Sequence, residues 1–521
     1  MSKFIRKHHS DVMGVLSGFD RIRFRGSIRW LATEVGMMRF LWAIQMKLKD
    51  FVSYSQDLTA QTRQTVEQLA KSAGRPVRYL NLPGVSKEDI ARDYAREDGI
   101  REGLICVLTN VEPCFSYQVR SNGQTKHLDL QRGWLKCLHQ YLYFIDPVLG
   151  FGHLRLQTWF PFTIHVCING REWLCRELDR AGVGYVRRDN CLIAVEDVAL
   201  AQQLLNAQVR ADWQGLLNRL AAWAFPLHRR MLNGDPLNYY WSADDTEWAT
   251  DVMFRSRRRL ARLYPHLLHH ALHTFSSGEV LRFLGRKTTL AGQPYGQFTG
   301  EVLTDLRQRP EGIRIKHRLN HNSIKMYDKQ GSVLRVETTL SDARDIKVYR
   351  RVEGRPESAR TWRRLRKGVC DLPRRTAVSQ AANNRYLEGL AATEETTPLE
   401  RLTARVCRPV EWEGRRVRGL RPLETEDQAL LQAVMRGEFT MNGFRNRDLR
   451  AVLFSGVGDA QEQRRQSGNI TRRLRMLRAH GLIKKVPRTH RYTLTSYGRT
   501  TITAFLAALK ADTQKLSQLA A

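Results

Sequence analysis

The sequence predicts an α+β protein. It should hold a ferredoxin-like α/β unit, an antiparallel sheet body, an arginine-rich linker and a C-terminal domain of helices with one small hairpin. Three observations predict this. Two-residue alternation recurs in "RIRFRG" (21–26) and across "RIKHRLNHNSIKMYDKQGSVLRVETTL" (314–340), the mark of half-buried strands. Helical periodicity with capping residues and glycine stops separates such runs. The chain has 521 residues, 42% of them hydrophobic, enough for several cores.

Charge narrows the partners. Lys and Arg number 85 against 52 Asp and Glu, a formal net charge of +33. Such an excess attracts polyanions and favours nucleic acid, DNA before RNA. No apolar run reaches the ~18 residues of a membrane span, so no membrane partner is expected. The opening "MSKFIRKHHSDVMGVLSGFDRIRFRG" lacks the continuous apolar stretch of a secretory signal. Eight Cys occur with no C-x-x-C, six of them between Cys106 and Cys191. Buried reduced thiols in a cytoplasmic protein are the expectation.

The elements follow in order. Residues 1–100 give a strand at "GFDRIRFRG", with Ile22 and Phe24 inward and Arg21, Arg23 and Arg25 outward, then amphipathic helices. Ser86 and Asp89 start one of these helices as an acidic capping box. Residues 101–200 read as the ferredoxin-like unit: apolar strands, a bend at Pro161, a helix "REWLCRELDRAG" stopped at Gly182, and one returning strand, "YVRRDNCLIAVED". Residues 201–350 read as helical to about 290, followed by the meander. If helical, "SADDTEWATD" aligns Asp244, Glu247 and Asp251. His266, His269 or His270, and His273 share a helix face that can hold zinc or simply pack on Leu267, Leu268 and Leu272. Residues 351–421 form a basic linker or arm that orders on a partner. Residues 422–521 give three helices, a hairpin tipped at 487–490, and a last helix. In the third helix Ile470, Leu474 and Leu477 share one face, flanked by Arg472, Arg473, Arg475 and Arg478.

The meander carries the chemistry. A three-residue loop, Lys329-Gln330-Gly331, pairs Met326 with Leu334 and Ile324 with Val336. The buried face is then Ile324, Met326, Leu334 and Val336. The open face carries Arg314, Lys316, Arg318, Lys325, Tyr327, Arg335 and Glu337. Three readings compete: a solvated face, a phosphate-binding face and a catalytic one. Cross-strand repulsion among these five cations is best relieved by phosphate. For catalysis, Tyr327 can attack a phosphodiester, with Glu337 among the carboxylates that hold a divalent ion, Mg²⁺ or Mn²⁺. Asp20, Asp251 and Glu337 are the carboxylates whose approach to Tyr327 would favour that reading.

Two resemblances sharpen these expectations. "NITRRLRMLRAHGLIKK…RYTLTSYGR" resembles the winged helix-turn-helix domains of MarR-like families, over roughly the last hundred residues. The resemblance implies a third helix in the major groove, with Arg472, Arg473 and Arg475 as groove or backbone contacts and Arg488 and Arg491 in the wing. "IKMYDK…VLRVET" is similar to paired strands of plasmid and phage rolling-circle replication initiators, and "GFDRIRFRG" to their first strand. That similarity implies a metal-dependent, DNA-nicking transesterase with Asp20 as a metal ligand. The chain departs from the pattern where those proteins carry a His-hydrophobic-His pair, since here the strand reads His165-Val166-Cys167. Cysteine is a poor ligand for magnesium. The non-enzymatic alternative is a DNA- or RNA-binding regulator.

Overall fold

The computed structural model describes residues 2–510 except 82–83, 125–126, 233–236, 287–300, 310–311, 345, 353, 392–398, 437–438, 440–442, 455–458 and 488. The chain forms two compact units, Met1–Ala261 with Asp305–Tyr386, and Arg262–Thr304 with Leu387–Ala521. The architecture is mixed α and β around one large sheet.

The first part of the chain gives α1 (Lys3–Lys7), β1 (Val12–Ile28), α2 (Glu34–Ala43), α3 (Phe51–Ser72), β2 (Val77–Tyr79), α4 (Lys87–Glu97), β3 (Gly103–Ser121) and β4 (Leu128–Asp146). Next come β5 (Gly150–Gln157), β6 (Ile164–Asn169), α5 (Gly170–Ala181), β7 (Tyr185–Arg188), β8 (Cys191–Val195), α6 (Val198–Val209), α7 (Trp213–Ala224) and β9 (Tyr239–Phe254). After α8 (Arg257–His273) and α9 (Ser277–Phe283) the meander is built from β10 (Val302–Arg309), β11 (Gly312–Leu319), β12 (Asn322–Lys329) and β13 (Val333–Leu340). A hairpin, β14 (Lys347–Arg350) and β15 (Thr361–Arg364), leads to α10 (Leu372–Leu390).

Eleven strands form one sheet in the order β10-β11-β12-β13-β9-β1-β6-β5-β4-β3-β2. Alternation sorts its two faces. On one, Phe19, Ile22, Phe24 and Trp248 join a core with Phe40 of α2, Phe51 of α3 and Trp213 of α7. Further along that face α10 lies against the sheet, where Asn383 bonds Trp248 O and Thr338, and His317 bonds the Tyr386 hydroxyl at 3.1 Å. On the other face, Leu16, Met253 and Val333 pack with Leu174 and Leu178 of α5 and Leu205 of α6.

Three expectations are corrected. Residues 101–200 do not close as a ferredoxin-like sandwich. Strands β3 to β6 are a meander that continues the large sheet, and the strand expected after α5 folds on itself as β7–β8 about the two-residue turn Asp189-Asn190. Asp189 takes a left-handed φ of 51°, which Asp tolerates in such turns. The acidic patch 242–251 is strand, not helix: β9 pairs on both sides, with β1 and β13, and Arg21, Lys325, Arg335 and Arg171 neutralise Glu247 and Asp251. Part of the expected basic linker or arm is regular structure: β15 and α10 lie within residues 361–390. Arg375 on α10 is buried and donates to Ala243 O, Leu340 O and the Thr246 hydroxyl, so this arginine caps sheet backbone.

The second unit contains α11 (Leu399–Val406), the hairpin β16 (Val410–Trp412) and β17 (Arg415–Val417), α12 (Thr425–Val434), α13 (Asn446–Leu453), α14 (Ala460–Ala479), the hairpin β18 (Ile483–Lys485) and β19 (Tyr492–Leu494), and α15 (Ser496–Lys510). Its core joins Leu430, Leu449, Ile470, Leu474, Leu477, Leu494 and Ile502. The expected order of three helices, hairpin and helix is present, and the expected apolar face of α14 points inward.

Candidate metal centre and nucleic-acid interface

A bulge builds the site. Phe19 faces Trp248 and Arg21 faces Glu247 across β1–β9, so Asp20 is an extra residue with no partner on β9. Strict alternation would place Asp20 beside Ile22 and Phe24 in the apolar core. The bulge turns its carboxylate to the opposite face. There Asp20, Glu247 of β9 and Glu337 of β13 each offer an oxygen, all within 4.8 Å of one another. Sequence reasoning grouped Glu247 with Asp244 and Asp251 on a helix, as a two-metal nuclease would require, and not with Asp20 and Glu337.

Cations surround these carboxylates. Arg335, fully buried, donates Nε and Nη2 to Asp251, Nη1 to Asp20 at 2.6 Å and Nη2 to Asn190 O. Arg171, also fully buried, reaches Asp251 at 2.8 Å from the start of α5. Gly170 permits this approach, because a Cβ there would lie 2.1 Å from Phe19 O. Lys325 bridges Glu337 at 2.6 Å and Glu247 at 3.2 Å, and Arg21 meets Glu247 at 3.0 Å. The Tyr327 hydroxyl donates to Glu337 at 2.8 Å. The β7–β8 turn closes the site, with Asn190 Nδ2 donating to Asp20 at 2.8 Å and Asp189 pairing with Lys329 at 2.9 Å.

The electrostatics are unequal across the carboxylates. Burial raises Asp20, and Arg335 offsets this only in part. Burial and neighbouring Glu337 raise Glu247 against Lys325 and Arg21. Burial opposes Glu337 as well, but Lys325 and Arg335 prevail and hold it at about 2. Burial and Glu337 push the Tyr327 phenol well above its usual value, so it stays protonated. Asp20 Oδ2 and Glu247 Oε2 accept no hydrogen bond among the described residues. An all-oxygen donor set with two oxygens unclaimed suits a hard divalent cation.

The cluster lies in a cleft of about 440 Å³ that also touches Glu88 and Arg92 of α4, His153, Cys167 and Lys329. Most sequence-predicted residues share its sheet face. Lys325 and Tyr327 lie at its centre. Arg314 is partly buried and lines the cleft, Lys316 is partly buried, and Arg318 is exposed. On β1, Arg21 and Arg23 are exposed and Arg25 is half-buried. Two expected roles change. Asp251 has both oxygens occupied by Arg335 and Arg171 and lies outside the three-carboxylate group. Arg335 is enclosed by carboxylates and offers no donor to a phosphate.

In the second unit Arg472 is exposed and Arg475 half-buried on α14, while Arg473 ties α14 to Glu426 of α12 at 2.7 Å. Arg491 is partly exposed beside β19, and Arg488 lies outside the described residues. Among the described residues no group of His or Cys comes together as a metal site. No helix among them is long and apolar enough to cross a membrane.

Two buried histidines, His139 and His317, and two half-buried ones, His153 and His165, make stability depend on pH. Burial, then Arg155, holds His139 and His153 at about 4 and His165 at about 3, and burial holds His317 at about 4. The unfolded chain takes these protons near 6.5, so between about 4 and 6.5 it binds more protons and stability rises with pH. Thermal melts should show the midpoint falling as pH drops through this window, and His317→Gln should flatten part of the slope. An equally steep profile in that variant would exclude His317.

Comparison with known protein families, curated proteins and solved structures finds no match for this chain.

Proposed function

We propose that this chain is a DNA-binding protein of the mobile-element or replication-initiator kind whose sheet cleft cleaves phosphodiester bonds with Mg²⁺ or Mn²⁺. The observation that carries this is the meeting of three carboxylates from three strands in a cleft bordered by arginines. Asp20, Glu247 and Glu337 would hold the ion. When bound, such an ion neutralises phosphoryl charge and lowers the pKa of water. Lys325 and Arg21 stand beside Glu247, where charge builds on the phosphoryl oxygens. Arg314, Lys316, Arg318 and Arg23 extend a positive track along the same face for the backbone.

Two nucleophiles are available. Attack by Tyr327 would join its oxygen to phosphorus, release a sugar oxygen and pass the phenolic proton to Glu337. Glu337 at about 2 is a weak base for a phenol held this firmly, which favours water and gives Tyr327 the task of orienting Glu337. Incubation with labelled single-stranded and duplex DNA plus Mn²⁺ tests the activity. A denaturation-resistant adduct lost in Tyr327→Phe would identify the tyrosine, and free cut ends that persist in it would identify water. No cut product from wild type would remove cleavage altogether.

A second reading has its own support: Lys325 and Arg335 already neutralise the cluster, as a purely structural network would require. The protein would then only bind.

In either case we infer that the module from α12 to α15 is a winged helix-turn-helix that chooses the DNA site, with α14 as its reading helix. Arg472 and Arg475 have no partner among the described residues, as groove contacts need. Arg472→Ala with Arg475→Ala should reduce the slope of log affinity against log salt by about 2. A filter-binding titration with an unchanged slope would place DNA elsewhere.

A further inference from the structure

The β14–β15 hairpin has a chemistry that the cleft does not use. Tyr349 and Trp362 face each other across its two strands, with ring centroids 5.7 Å apart. They are 58% and 61% exposed. The opposite side of the hairpin packs inward through Val348 against Leu340, Ala343, Ile346 and Leu365. A cross-strand aromatic pair held open to solvent on a docked hairpin is not core. Lys347 and Arg364, the neighbouring cross-strand pair, lie on the same open side.

Beside the Tyr349 ring is a cavity of about 360 Å³ that Arg350, Arg351, Arg360, Arg366 and Arg374 also line. Asp371 pairs with Arg366 at 3.1 Å and Arg374 at 2.6 Å, and among the described residues no ion pair reaches Arg350, Arg351 or Arg360. Arg350 Nε is buried with no hydrogen-bond partner. From Lys347 to Arg375 the sequence holds eleven cations and three acids. The uncompensated charge calls for an anion, and the adjoining rings call for something flat. A chain of bases linked by phosphates supplies both.

We propose that this hairpin binds single-stranded nucleic acid, stacking bases on Tyr349 and Trp362 and seating a phosphate among Arg350, Arg351 and Arg360. The proposal rests on the nucleic-acid reading above but not on cleavage. In a duplex the base faces are already stacked, so the two rings confer a preference for unpaired strands.

Fluorescence polarisation of the full chain in EDTA, with labelled oligothymidylate and a labelled duplex as probes, tests it without any cutting. Tyr349→Ala with Trp362→Ala should weaken oligothymidylate binding about 100-fold, about tenfold per ring, and leave duplex binding within about twofold. Trp362→Phe keeps a stacking surface and should stay within about threefold of wild type. Arg351→Gln with Arg360→Gln should weaken the same probe and reduce its salt dependence. Unchanged oligothymidylate affinity in the ring variant overturns the proposal, as does an equal loss on both probes. A wild type that binds only duplex also overturns it while leaving the winged-helix reading intact. A thermal midpoint of the Tyr349→Ala, Trp362→Ala variant close to wild type separates lost stacking from lost folding.

Discussion

Arg335→Leu is expected to cost about 3–5 kcal/mol of stability, the largest loss from any single substitution in the sheet. Its guanidinium is fully buried and divides itself among Asp251, Asp20 and the Asn190 carbonyl. Leucine fills similar space but leaves two buried carboxylates short of a counter-charge. Asp251 would keep only Arg171, and Asp20 only the neutral amide of Asn190. Urea unfolding followed by tryptophan fluorescence measures the loss, since Trp213, Trp241 and Trp248 report the adjoining core. Adding Asp251→Asn should recover part of it, because the second change removes the charge that the first exposed. A single variant as stable as wild type would mean that water reaches these carboxylates.

The sheet face was readable because strand periodicity is forgiving. The loop expected at Lys329-Gln330-Gly331 lies one residue further on, with Gln330 and Gly331 at φ of 60° and 74°. Met326 therefore pairs with Val336 and Ile324 with Thr338, a register two residues from the expected one. A shift of two preserves which side chains share a face. So Lys325, Tyr327, Arg335 and Glu337 do lie together, opposite Ile324, Met326, Leu334 and Val336. What periodicity could not give was depth. Tyr327, Arg335 and Glu337 are buried, because the β7–β8 turn and β9 carboxylates from distant sequence cover them.

Other features had weaker signals. The bulge at Asp20 exists only relative to β9, some 220 residues away in sequence, so local alternation assigns that residue to the wrong face. The acidic patch fits a helical spacing and a strand about equally well by composition. Only its pairing with β1 and β13 decides, and it decides against the helix. The Asp189-Asn190 turn was legible as a two-residue hairpin signal. Reading through it produced a single strand, and with it the ferredoxin-like skeleton.

The amide variants of the metal cluster separate function from structure by the sign of their stability changes. Burial raises Asp20 and Glu247, so the fold disfavours their charged forms. Asp20→Asn and Glu247→Gln remove that cost, and in EDTA both should melt at or above the wild-type temperature. Glu337 is held at about 2, so its charge supports the fold from about pH 4.5 upward, and that support is lost as pH falls toward 2. Glu337→Gln deprives Lys325 of its closer partner and should melt lower at neutral pH. All three should lose cleavage by about 10²–10³-fold, several kcal/mol of phosphoryl charge stabilisation at about 1.4 kcal/mol per tenfold. Calorimetric titration with Mn²⁺ should show weakened binding in each. A residue kept for stability cannot be replaced with a gain in melting temperature. Stabilised variants that neither bind Mn²⁺ nor cut would therefore identify Asp20 and Glu247 as ligands tolerated by the fold for their chemistry. If instead both amide variants melt lower and bind Mn²⁺ like wild type, the carboxylates are counter-ions for Arg335 and Lys325, and the protein binds nucleic acid without cutting it.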